Sequence, residues 1–189
     1  MTERKDRIFE LLRTTERAGI ESLLHYMDKG GFFDAPCSTR YHLAEPGGLA
    51  QHSLNVLTTA LAMASTLHSK TGASPITFDL INSITICALL HDLGKMGQFN
   101  KPNYALEEVP FAEPGEAFYS TNKDLLYVPH EVRSVAIASK FIDLTEEEQF
   151  AILYHNGLYG ELQSIKGKET PLYMILHFAD MWASRVIEE

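Results

Sequence analysis

Cysteine and tryptophan are scarce in this chain, with two of the first and one of the second among 189 residues. Cys37 and Cys87 have no close spacing, which excludes a disulfide scaffold and a thiolate zinc finger. Cys37 follows a proline in an expected loop, and Cys87 sits among Ile86, Ala88 and Leu89. Both read as reduced thiols, Cys87 acting as a small hydrophobe. No apolar run approaches the roughly 20 residues that span a bilayer, so no membrane partner is expected. The stretch Met1-Thr2-Glu3-Arg4-Lys5-Asp6-Arg7 lacks the apolar core and cleavage site of a secretory signal, and a cytoplasmic location is the expectation. Basic residues are also few, 16 Lys and Arg against 25 Asp and Glu, for a formal net charge of −9. That balance argues against broad, non-specific nucleic-acid binding, which needs a basic footprint. It leaves room for a small nucleotide, or for one strand end held in a local pocket. Internal repeats and low-complexity tracts are lacking too.

What is present reads mostly as helix. Apolar residues at three- and four-residue steps predict helices over 3–18, ended by Gly19, and over 20–29. After a loop with Pro36 and Pro46, Gly47-Gly48 opens a long helix over 49–68. Thr77 or Asp79 can cap the next helix, which runs into His91-Asp92 and stops at Gly94, a residue that accepts the left-handed conformation. From 97 to 129 the pattern dissolves into prolines and aromatics. Such a length predicts a functional lid or a small hairpin, with Leu125-Leu126-Tyr127-Val128 as its best strand candidate. Helices resume over 130–141. Thr145 and Glu148 form a capping box for the helix that carries His155, and Asn156-Gly157 stops it. Pro171 opens the last helix, over 172–187. The expected fold is all-α, one domain over 1–189, with a helical extension at 1–37 and a core at 38–189.

His91-Asp92 is the most informative feature, an imidazole and a carboxylate placed where an apolar helix ends. Burying such groups without a partner costs about 2–7 kcal/mol for a polar group and more for a charge. A bound cation removes that penalty. His52, His130, His155 and Asp180 share the same character, each beside residues that read as core. No two of them lie in a zinc-finger or His-Glu-x-x-His spacing, so a site assembled from facing helices fits better than a local one. Imidazole with carboxylate suits manganese, iron, zinc, nickel or cobalt, with magnesium as a harder alternative. A carboxylate can bridge two ions. His52, His91, Asp92 and Asp180 are expected around one ion, and Asp92, His130 and His155 around a second, with positions open for a water of lowered pKa. His25 and His68 read as ordinary surface or hydrogen-bonded histidines. His177, one turn before Asp180, could orient it.

Around these ligands, Lys95 can reach a phosphate oxygen or complement its helix end. Arg40 and His42 lie in the loop before the first ligand helix, and Arg133 one turn after His130; these are the candidate substrate-binding residues. Arg185, five positions from Asp180, should project away from it and can pair with a carboxylate. Phe99, Tyr104, Phe111, Phe118, Tyr119 and Tyr127 in the insert can anchor it or stack a base.

The order His52, His91-Asp92, His130, His155, Asp180 resembles that of the HD-domain superfamily of metal-dependent phosphohydrolases. The match runs from about Ser38 to Arg185 and includes Gly47-Gly48-Leu49-Ala50-Gln51-His52-Ser53 and His91-Asp92-Leu93-Gly94-Lys95. The resemblance implies an HD-domain helical bundle with His52, His91, Asp92 and Asp180 as core metal ligands. His130 and His155 match the extra histidines of two-metal members. Ser38-Thr39-Arg40-Tyr41-His42, the glycine pair and Tyr154-His155-Asn156-Gly157 are similar to the HD domain of bacterial 3′→5′ exoribonucleases. Those enzymes carry an OB-fold ahead of that domain, and no stretch here has its strand pattern. The resemblance therefore carries over phosphoester chemistry first and a polymer substrate second.

The expectation is a hydrolase or phosphodiesterase in which Asp92 and Lys95 act at the reacting phosphate, using one or two divalent ions. Its partner would be a small phosphorylated substrate, a nucleotide or a nucleic-acid end; homo-oligomerisation is left open. Two other classes fit the same ligand order: a di-iron HD-fold oxygenase, and a module that senses nucleotides without turnover.

Overall fold

The computed structural model describes residues 2–71, 76–98, 100–107, 118–157 and 165–188. Among these, the chain forms α1 (Thr2–Thr14), α2 (Ile20–Gly30), α3 (Gly48–Thr71), α4 (Phe78–Leu90), α5 (His130–Ala138), α6 (Glu146–Tyr154) and α7 (Pro171–Trp182). A single antiparallel hairpin, β1 (Tyr104–Glu107) with β2 (Phe118–Thr121), lies between α4 and α5. The fold is an all-α bundle with a small hairpin insert, as the residue pattern predicts. None of the described helices is long and apolar enough to cross a membrane.

α4 is the central element, packed against α1, α3, α6 and α7. Its sequence explains that place, because every residue from Ile84 to Leu90 is buried, so its second half has no polar face to turn to water. Burying one such leucine contributes about 1.5–3 kcal/mol. Thr77 caps its start by accepting from the Leu80 N–H. α1 and α2 place Ile8, Leu12, Leu23, Leu24 and Met27 in the same buried cluster. They are also tied to α6 electrostatically. Arg17, between them, holds Glu148 with two hydrogen bonds of 2.7 and 3.0 Å, and Ser83 of α4 donates to the same carboxylate at 2.8 Å. Glu148 completes the expected capping box with Thr145.

Three details differ from the expectation. α1 stops at Thr14, not 18: the hydroxyls of Thr14 and Thr15 bond back to the carbonyls of Leu11 and Leu12, and Glu16 turns the chain at φ +51°. Gly19 does not end α1; it starts α2 at φ +86°. Second, Gly94 is no left-handed stop. The chain tightens into a 3-10 turn, Leu93–Met96, and turns at Gly97, φ +99°. Gly94 must be small because α5 passes so close that a Cβ would lie 2.2 Å from the His130 carbonyl oxygen. Third, Leu125-Leu126-Tyr127-Val128 forms no strand. Leu126 and Tyr127 are each 87% exposed. The Leu126 carbonyl, which a neighbouring strand would need, accepts from Arg133 at 2.9 Å. The strands lie on either side of residues 108–117, with Tyr104 opposite Thr121 and Glu107 opposite Phe118. The last helix also changes pitch, passing at Ala183 into a π turn, Ala183–Ile187.

Candidate metal centre

Two candidate ligands are placed by one local device used twice. His91 caps the C-terminus of α4 and donates Nδ1–H to the Ala88 carbonyl at 2.9 Å; His155 caps α6 and donates to Ile152 at 2.7 Å. Each ring thus satisfies a carbonyl that a helix end leaves unpaired. Because a carbonyl only accepts, the proton sits on Nδ1 and the Nε2 lone pair points inward. The negative ends of both helix dipoles face the same point, which favours a cation there.

His52 follows the same rule. His52, in the second turn of α3, has its Nδ1 3.0 Å from Glu188, and His130, the first residue of α5, has its Nδ1 3.2 Å from Glu131. All four Nε2 atoms converge on Asp92. Its Oδ2 lies 3.6 Å from His52 Nε2 and 3.4 Å from His91 Nε2, while Oδ1 lies 3.1 Å from His130 Nε2 and 3.5 Å from His155 Nε2. Asp180 Oδ1, from α7, is 3.1 Å from His52 Nε2 and 4.0 Å from His91 Nε2. The structure therefore brings His52, His91, Asp92, His130, His155 and Asp180 together.

The donor set fits divalent cations. His52 and His91 set their Nε2 atoms 3.2 Å apart, and His130 and His155 3.4 Å apart. With the Nδ1 protons of His52 and His91 committed to Glu188 and Ala88, that pair opposes two lone pairs unless a cation or proton lies between them. Asp92 Oδ1 is buried and has no hydrogen-bond partner among the described residues, a costly state for a charged group. His52, His91 and Asp180 can share one ion, as can His91, Asp92 and His155.

The electrostatics say the same. Burial opposes charge on Asp92, but Lys95 and the surrounding rings outweigh it and hold its pKa well below the carboxylate range. Asp180 is likewise lowered against burial, chiefly by His52. For His52, burial is outweighed by Cys37, Asp180 and Glu188, and its pKa rises. Burial dominates at His91, which is lowered, whereas Asp92 raises His155 despite burial. The field that draws protons onto His52 and His155 also draws metal cations. Lys95 Nζ pairs with Asp92 Oδ2 at 2.7 Å, and Asp92 outweighs the effect of burial to keep it charged.

Lys95 also lines a cleft of about 790 Å³, together with Cys37, Tyr41, His42, Tyr104 and Arg185. A second hollow of about 500 Å³ opens beside His130 and shares Tyr104 and Thr121 with the first. The paired residues of one hairpin rung thus stand between the two. The hairpin is held to the loop before α3, since the Tyr119 N–H donates to Thr39 at 3.4 Å. Tyr104, Phe118 and Tyr119 are half-buried and Tyr127 is exposed. Phe99 and Phe111 lie outside the described residues.

The expected substrate-binding residues separate. His42 lines the larger cleft, but its Nδ1 is hydrogen-bonded to Glu188 at 2.6 Å. Burial disfavours its charge, yet Cys37 and Glu188 prevail and lift its pKa to about 9. Arg40 is exposed and lines neither cleft. Arg133 lines the hollow beside His130, but it is only 3% exposed and donates to Asn103 and to the carbonyls of Leu126 and Gly94. Its position one turn into α5 sets it against the insert, which it braces. His177 does not orient Asp180; it donates to the His155 carbonyl at 2.8 Å, supporting that helix end. A Cβ on Gly157 would lie 1.9 Å from the His177 ring, hence the glycine after His155.

Sequence reasoning missed Glu188 and set Arg185 aside. Both follow the π turn or lie in it, where α-helical spacing misplaces every side chain.

The model of the HD domain family matches residues 49–180. A curated 3′-5′ exoribonuclease, YhaM of Geobacillus sp. (strain WCH70), is 27% identical over 183 residues, covering 93% of this chain and 50% of the relative. The chain thus spans about half the length of that relative. No solved structure matches.

Proposed function

The chain belongs to the HD-domain family, and from that premise we propose that it is a metal-dependent phosphohydrolase acting on a nucleotide or on the 3′ end of a nucleic acid. One observation carries this reading: a buried carboxylate offers one oxygen to each half of a histidine set and pairs with Lys95, which lines both the 790 Å³ cleft and a smaller hollow that His155 and Asp180 also line. His52, His91, Asp92 and Asp180 would hold one divalent cation and Asp92, His130 and His155 a second. Such ions supply Lewis acidity toward phosphate oxygens and lower the pKa of a water.

The chain's own groups do the rest. Lys95 and Arg185 bring positive charge to the cleft, where developing charge on a phosphate needs it. Asp92 keeps the Lys95 ammonium fixed beside the centre, so little reorganisation is needed during reaction. Tyr41 and Tyr104 offer flat faces to a base. The similarity to an exoribonuclease supports a nucleotide or a strand end over other phosphoesters.

The test is purification without chelator, metal analysis, and assay against nucleotides, cyclic dinucleotides and short 3′-ended RNA with Mn²⁺. The expected result is bound metal and phosphate-ester hydrolysis that Asp92→Asn abolishes. Hydrolysis unchanged in Asp92→Asn would overturn the reading, and bound iron with oxygen uptake and no hydrolysis would replace it with oxygenase chemistry.

A further inference from the structure

Glu188 carries a buried carboxylate beside the candidate centre that the proposed chemistry does not use. Its side chain is 1% exposed and accepts from three groups: His42 Nδ1 at 2.6 Å, His52 Nδ1 at 3.0 Å and Asn55 Nδ2 at 2.9 Å. The π turn explains how it gets there. An α-helix advances about 100° per residue, so eight residues would leave Glu188 about 80° round from Asp180. A turn closed by i→i+5 bonds advances less per residue and brings the two acids onto one side. The Glu188 N–H closes that turn on the Ala183 carbonyl at 3.1 Å. The two acids then approach His52 from opposite edges, Asp180 at Nε2 and Glu188 at Nδ1.

Cys37, His42 and His52 offer a sulfur and ring nitrogens within 4.8 Å of one another, which invites a third metal position. Two facts argue against it. Both Nδ1 atoms are already hydrogen-bonded to Glu188, and the Lys95 ammonium is 3.9 Å from the Cys37 sulfur. A cation there would break satisfied hydrogen bonds. The cluster is a brace.

Resting on the reading of the centre given above, we infer that Glu188 is a positioning residue: it fixes the Nδ1–H tautomer and ring angle of His52, and so sets the affinity of the ion on the Oδ2 side of Asp92. A carboxylate can only accept, so it admits one tautomer. An amide presents a donor as well and allows the ring to invert, turning an N–H into the centre and blocking the ligand lone pair. Partners of this kind typically change metal affinity by about 10–100-fold.

The experiment titrates Co²⁺ into the metal-free wild-type, Glu188→Gln and Glu188→Ala proteins by calorimetry. Long-range ¹H–¹⁵N imidazole spectra of the Zn²⁺-loaded proteins, and melting of the metal-free ones, accompany it. In the wild type, His52 should be bound through Nε2 and protonated at Nδ1. In both variants one of two binding steps should weaken about 10–100-fold, with the other unchanged. Glu188→Gln should stay folded without metal, melting below the wild type because charge-assisted hydrogen bonds to His42 and His52 are weakened. Two wild-type binding steps that stay unaltered in the variants, or that weaken equally, would overturn the inference. Should Glu188→Ala not fold, Glu188→Gln carries the test. If neither folds, the wild-type spectrum decides, and a His52 bound through Nδ1 refutes the assignment. A wild type that takes up neither Co²⁺ nor Zn²⁺ brings down the proposed centre itself, and the role of Glu188 with it.

Discussion

The two sides of Asp92 are built differently. On the Oδ2 side, His52 and His91 are 1% and 0% exposed, and their rings are anchored to a buried carboxylate and a helix-end carbonyl. On the Oδ1 side, His155 is as well held, but His130 is 26% exposed and its Nδ1 partner, Glu131, is itself 19% exposed. His130 also opens a helix preceded by the exposed Leu126-Tyr127 segment. One side is a rigid socket inside the bundle; the other depends on how α5 is seated. The difference teaches that a shared carboxylate can join a firmly organised position to a more adaptable one. The Oδ2 side should bind more tightly and the Oδ1 side exchange more freely.

Removing the shared residue erases the contrast. Asp92→Asn should abolish retention of both ions and lower turnover on the order of 10³-fold or more, at least as much as losing a principal electrostatic group; metal content and initial rates check this. His52→Ala and His130→Ala test the sides separately. The first should release the tighter ion and nearly all activity. The second should leave one ion bound, with a turnover loss of about 10²-fold. Equal metal loss in both variants would break the comparison.

Gly94→Ala sharpens it. The added Cβ would meet the His130 carbonyl at 2.2 Å, so α5 must shift. The expected outcome is destabilisation of about 1–3 kcal/mol, with weakened metal binding on the His130 side alone, read by denaturant melts and metal titration.

The smallest effect on either side should come from Glu148, which holds the scaffold far from the ligands. Burial works against its charge, but Arg17, Thr145 and Ser83 prevail and lower its pKa. A carboxylate lowered in the folded state stabilises fully above its unfolded pKa of about 4.3, and that stability is lost as pH falls through the lowered value. Glu148→Gln should therefore cost about 1–3 kcal/mol at neutral pH and flatten the acid limb of the stability curve. Metal stoichiometry should not change.

The helical scaffold was legible because α4 and its neighbours are long, strongly patterned and capped by recognisable residues such as Thr77 and the Thr145–Glu148 pair. The ligand set was legible because polar groups in apolar surroundings demand a partner, and His91-Asp92 states that demand in two adjacent residues. The insert was not. Leu125-Leu126-Tyr127-Val128 has strand composition, but strand formation depends on a pairing edge that composition does not encode. Gly94 was read as a stop because local reasoning cannot see α5 passing against it. Glu188 was invisible for a different reason: the π turn breaks the 3.6-residue period on which the reading of the last helix depended. Arg133 illustrates the remaining ambiguity, since a buried arginine that braces carbonyls and one that grips phosphate look alike in sequence.

The most direct measurement is anomalous diffraction at the manganese edge from crystals grown with Mn²⁺. The account predicts two peaks flanking the Asp92 carboxylate, one within bonding distance of His52, His91 and Asp180, the other of His130 and His155. Peaks that leave Asp92 without a metal contact, or an Asp180 carboxylate bound to neither ion, would contradict it.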